Sequence, residues 1–260
     1  MGARLALAGI DRQRLVAGSP VLLAAAALWI ALLAWMDGDA VHGAPTCLGL
    51  TFDHIGETTA MWVVMMAAMM LPAATPAIAM FASFAGRDAE SHDAGLRSWL
   101  FASGYLVVWS LVSVVFAVAQ ISLARSGTFA EQGTLAGPLG AGLLLLAAGA
   151  YELTALKQAC LTRCRNPLTY LIGNWRDGAL GALRLGAGHG VHCVGCCAAM
   201  MGLMFVFGAM NMVWMAVLAA WFVLEKIVPR AHAVSRYAGF VLLGAGALLT
   251  GTVLAGAWPA

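Results

Sequence analysis

The chain has 260 residues, 62% of them hydrophobic and only 10% charged, with a net charge of +2. Soluble domains carry about 25% charged residues, so this composition excludes an ordinary water-facing fold. A near-neutral balance also removes any electrostatic case for a nucleic-acid partner.

A membrane-spanning helix needs about 20 apolar residues. Seven segments approach that in chain order: 17–36, 59–85, 97–124, 135–156, 190–209, 211–228 and 237–257. The expectation is therefore an all-α, polytopic transmembrane bundle, one integral membrane domain over 1–260. The fifth and sixth segments form one apolar run, broken at "GAMN" (208–211), and a tight hairpin at Gly208 and Asn211 resolves it. Seven spans put Arg4, Arg12, Arg14, Arg87, Arg97, Lys157, Arg163, Arg165, Arg176, Arg184, Lys226, Arg230 and Arg236 on one side and Arg125 alone on the other. By the positive-inside rule the N-terminus is then cytoplasmic. A cleaved signal peptide is the alternative for the first segment, although Val16 to Met36 is long for one.

The second segment carries two methionine rows. Met61, Met65 and Met69 recur at i,i+4,i+8, and Met66 and Met70 run parallel to them. Thioethers bind Cu(I) weakly, so such a row can pass a soft ion, although methionine is more often an apolar filler. Pro72 and Pro76 break the backbone ladder and free carbonyls that need other donors. Above Met61 lie Cys47, Asp53, His54 and Glu57, in a connection without lysine or arginine. They form either an entry point for a cation or a solvated acidic loop.

The second long connection, 157–189, is basic and contains "NPLTYLIGNW", which suits a short interfacial segment. At its start, "CLTRC" places Cys160 and Cys164 one turn apart on a helix that continues the fourth span. Lys157, Arg163 and Arg165 surround the pair with positive charge, which suits thiolate chemistry. At its end, "HGVHCVGCC" (189–197) pairs His189 with Cys193, His192 with Cys196, and Cys193 with Cys197 at i,i+4. Cys196 and Cys197 point about 100° apart on a regular helix, so both cannot serve one ion without distortion. Thiolate-rich sets select soft metals such as Cu(I), with Zn(II) the alternative. The competing reading is that buried cysteine is a small apolar residue.

Glu152 and Lys157 end the fourth segment, and Glu225 and Lys226 end the sixth. All four are expected near the interface, as Glu152–Lys226 or Glu225–Lys157 pairs. The small residues in "GPLGAG" (137–142) and "GAGAL" (244–248) suit close helix packing.

Taken together, "MMAAMMLPAATP" (65–76), "YELTALKQACLTRCRNP" (151–167), "GHGVHCVGCC" (188–197) and "FGAMNMVWMAVLAAWFVLEKIVP" (207–229) resemble a bacterial family. It is the domain-of-unknown-function family of predicted metal-binding integral membrane proteins. In it Cys160, Cys164, Cys193, Cys196 and Cys197 correspond to hallmark positions, and residues 60–229 hold the motifs. An aromatic residue often follows the paired cysteines there; this chain has Ala198. The resemblance implies a multi-pass protein of the bacterial inner membrane that binds metal.

The expected function is Cu(I) transport or handling, with His54 and the methionines as a path and the Cys/His set as the inner site. A metallochaperone or metalloprotein partner would follow. The alternatives are a loading accessory without net transport and a membrane thiol–disulfide oxidoreductase. No catalytic constellation or GxxxxGK[ST] motif stands out, so an enzyme is not expected apart from thiol redox activity.

Overall fold

The computed structural model describes residues 18–34, 52–86, 94–127, 137–209 and 211–256, with side chains in the second stretch from residue 55. Among them every regular element is helical. In chain order these are α1 (Gly18–Ala34), α2 (Phe52–Ala85), α3 (Ala94–Arg125), α4 (Pro138–Glu152) and α5 (Ala155–Arg165). Then follow α6 (Pro167–Asn174), α7 (Gly178–Gly202), α8 (Met204–Phe207), α9 (Met212–Ile227) and α10 (Ala231–Leu254). Cys47 lies outside the described residues, as do the side chains of Asp53 and His54.

Among the described residues, four stretches are long and apolar enough to cross a bilayer: Ile55–Ala85, Ala94–Arg125, Gly178–Phe207 and Ala231–Leu254. The bent pair α4 and α5 makes a fifth if counted as one span. α1 and α9, with 17 and 16 residues, are apolar but shorter.

Two expectations about the inner connection are corrected. The fourth segment does not run straight into the CLTRC helix; α4 and α5 meet at 63°. Thr154 causes the break by capping α5, its hydroxyl accepting from the Lys157 amide. Such a cap satisfies one of the orphan donors of a helix start. Nor is 157–189 a loop ending where the fifth span begins. α7 starts at Gly178, twelve residues before the expected start at 190. Its glycines form a packing face. A Cβ on Gly186 would collide with the Phe101 carbonyl, and one on Gly104 of α3 with the Leu183 carbonyl. Glycine lets the two backbones touch, which drives helix association where no hydrophobic effect operates.

α4 and α10 pair the same way. Gly142 faces Gly246 and Thr250, and Gly149 faces Gly239, which places the small residues at 137–142 and 244–248 in or beside this contact. The hairpin between α8 and α9 also matches expectation. Gly208 turns the chain at φ 100°, and Asn211 caps α9 through its side-chain oxygen.

α2 runs through the core. Trp62, Met65, Met66, Met69 and Met70 are buried, at 0–1% exposure. Pro72 leaves the Ala68 carbonyl without its helical donor, and the Trp29 indole of α1 takes its place at 3.2 Å. One turn on, the Lys226 ammonium reaches the Ala73 carbonyl at 3.4 Å.

Candidate metal centre

Cys193 stands at the middle of Gly178–Phe207, and Met70 at the middle of Ile55–Ala85. The thiol cluster is thus at mid-helix, a correction to its expected place at the mouth of the segment. The early start of α7 accounts for the shift.

Three sulfurs, those of Cys164, Cys193 and Cys196, lie within 4.8 Å of one another, and all three residues are buried. Cys196 Sγ is 3.6 Å from Cys164 Sγ and 3.3 Å from Cys197 Sγ. Metal–sulfur bonds of about 2.3 Å put ligand sulfurs about 3.8–4.0 Å apart in tetrahedral or trigonal sets. The observed spacing therefore fits a soft-metal site with little movement. Cys197 stands outside the group of three, in line with the expectation that it and Cys196 do not both serve one ion from a regular helix.

The two residues of CLTRC have different surroundings on α5. Cys164 turns inward to the sulfur cluster. Cys160 is half-buried and rests against Gly195, where a Cβ would crowd its sulfur. It stands outside the group of three. His189 and His192 are also outside it. The Tyr170 ring lies 5.7 Å from the His189 ring and 5.6 Å from the His192 ring. His189 is 1% exposed, and its Nδ1 has no hydrogen-bond partner among the described residues.

Two residues that the sequence did not single out for this role complete the centre. Tyr105 of α3 contacts Cys193 Sγ through its hydroxyl at 3.1 Å and reaches the Met70 carbonyl at 3.3 Å. It ties the end of the methionine rows to the thiols. Lys226 donates to Cys193 Sγ at 3.2 Å, a charge-assisted contact. Met65, Met66, Met69 and Met70 lie behind this junction in the core; Met61 is partly buried.

Lys157 has a different setting. Its ammonium lies 2.9 Å from Glu152 and 3.0 Å from Glu225, and donates to the Cys196 carbonyl at 2.5 Å. All three charged residues are at most 1% exposed, and the Glu225–Lys157 pair is one of the two expected. Glu152 pairs with Lys157 rather than Lys226. It also accepts from Ser235 at 2.6 Å, and Gln158 donates to that hydroxyl at 3.2 Å. Tyr151 braces α7 from the other side by donating to the Gly195 carbonyl at 2.6 Å.

The sequence matches the family described as copper chaperone (PpoB2) over residues 59–249. The chain belongs to this copper-chaperone family. The match includes every cysteine and methionine of the centre. No curated protein and no solved structure matches the chain. Family and geometry agree on the coarse point that this is a copper-related protein with a buried three-cysteine group and several bilayer-length helices.

Proposed function

We propose that this membrane copper chaperone holds Cu(I) on Cys164, Cys193 and Cys196 and hands it to a metalloprotein partner. The observation that carries this is the three-sulfur group, buried and already near ligand spacing. Three thiolates suit Cu(I), and a site closed to water protects it from oxidation and from hard competing ions. The ion is cargo here. The chain's part is to gather the sulfurs from α5 and α7 and to balance their charge with Lys226. Buried charge without a partner is costly, so a fixed ammonium beside the sulfurs lowers the cost of assembling several thiolates. Tyr105 and the Cys196 carbonyl–Lys157 contact hold the cluster in place.

A second reading is net transport along the methionines. It draws support from the Met70–Tyr105–Cys193 junction, which ends a thioether row beside thiolates. Affinity would rise along that path from thioether to thiolate.

The test is copper content and X-ray absorption of anaerobically purified protein. One Cu(I) in an all-sulfur shell is expected, lost in Cys196→Ser. Equal copper in wild type and variant would reject the site. Uptake of copper into proteoliposomes separates the readings, because a chaperone without transport shows none.

A further inference from the structure

A cleft of about 400 Å³ opens between α6 and the first turns of α7, lined by Tyr170, Asn174, Arg176, Arg184, Leu185 and Gly188. The volume is that of a small-molecule site. Both arginines are exposed, and neither has a carboxylate partner among the described residues. Its inner wall borders the two histidines that precede the metal centre. Tyr170 donates to the Leu185 carbonyl at 2.9 Å, and its ring covers His189 and His192. Those histidines stand one helical turn before Cys193 and Cys196. Gly188 makes this possible, since a Cβ there would meet the Tyr170 hydroxyl.

Cu(I) in a reducing compartment does not travel as a bare cation. Two thiolates around one Cu(I) carry a net negative charge, and carboxylate-bearing thiols add more. A rim of two unpaired arginines would repel the bare ion but attract such a complex. Resting on the copper-chaperone reading above, we infer that this cleft receives an anionic Cu(I)–thiolate complex of a small carrier. Transfer is ligand exchange without a redox change. Each copper–sulfur bond to the carrier breaks as one to a cysteine forms, and the released carrier thiolate takes up the proton that the cysteine thiol loses.

The experiment loads purified protein from two donors, the Cu(I)–glutathione complex and the cationic Cu(I)–acetonitrile complex. In Arg176→Gln/Arg184→Gln, transfer from the glutathione complex should slow about tenfold and lose its salt dependence. Transfer from the cationic acetonitrile complex should not slow and should rise if anything, and Arg176→Lys/Arg184→Lys should recover most of the lost rate. Equal slowing with both donors, or none with either, overturns the inference. So does loss of bound phosphatidylglycerol with unchanged transfer, which would make the cleft a lipid headgroup seat. Failure of wild type to take copper from either donor would instead reject the copper-site reading itself.

Discussion

Lys157 and Lys226 both reach α7 beside the thiols, one at the Cys196 carbonyl and one at Cys193 Sγ, and their other partners differ. Lys157 sits between two carboxylates, 2.9 and 3.0 Å away. Lys226 contacts a thiol sulfur and a backbone carbonyl instead. In the first arrangement α4, α5 and α9 meet on one ion cluster, closed by Ser235 of α10 and joined to α7 through the Cys196 carbonyl. The second is open-ended, because a sulfur that accepts from an ammonium can also bind a metal. Two lysines, one buried and one partly buried, therefore divide the work. One holds helices together, and the other serves the site.

The largest expected effect breaks the carboxylate end. Lys157→Met leaves Glu152 and Glu225 facing each other without a cation, and removing one partner of a buried pair costs about 3–5 kcal/mol. Thermal unfolding in detergent should show that loss, and the triple variant Glu152→Gln/Lys157→Met/Glu225→Gln should regain part of it. If Lys157→Met alone unfolds like wild type, the cluster is not what joins these helices.

At the sulfur end, Cys193→Ser or Cys196→Ser should weaken Cu(I) binding at least 100-fold, about 2.7 kcal/mol. Cys160→Ser should change it less than threefold, because that sulfur faces Gly195 rather than the cluster. Competition with a chromophoric Cu(I) chelator reads both. Similar losses at Cys160 and Cys164 would mean that their different contacts do not sort the pair. Lys226→Met should fall between these, weakening copper about tenfold while changing the unfolding temperature far less than Lys157→Met does. An equal drop in stability for the two lysine variants would erase the distinction.

This contrast was only partly legible in the sequence. The thiols, the methionine rows and the four ionisable residues stood out because such side chains are rare in apolar segments. The hairpin at Gly208 and Asn211 could be read from the impossible length of a continuous helix. The partners could not. Tyr105 lies 88 residues from Cys193 and 35 from Met70, in a span with no motif, so only the α3–α7 contact brings it there. The bend at Thr154 had a readable signal, a threonine able to cap the helix that carries CLTRC. It was masked by apolar residues on both sides. The start of α7 at Gly178 was not legible, because glycine is a poor helix former in water. In a close helix pair the same residue is an asset.

The smallest expected effect concerns Tyr170, which separates the arginine cleft from the histidines. Burial, reinforced by the nearby Cys164 sulfur, pushes its phenol up to about 12 from an ordinary value of 10.0. A raised value means that the folded protein favours the neutral phenol, which donates to the Leu185 carbonyl. That contribution is complete below pH 10 and is lost as pH rises from 10 through 12. Tyr170→Phe should cost about 1 kcal/mol at pH 8, the net worth of one hydrogen bond. Between pH 10 and 12 the gap between wild type and variant should close, because the wild type alone loses the interaction. A gap that stays constant across that range would show that Tyr170 holds α6 by its ring and not by its hydroxyl. The wall between cleft and metal centre would then depend on packing alone.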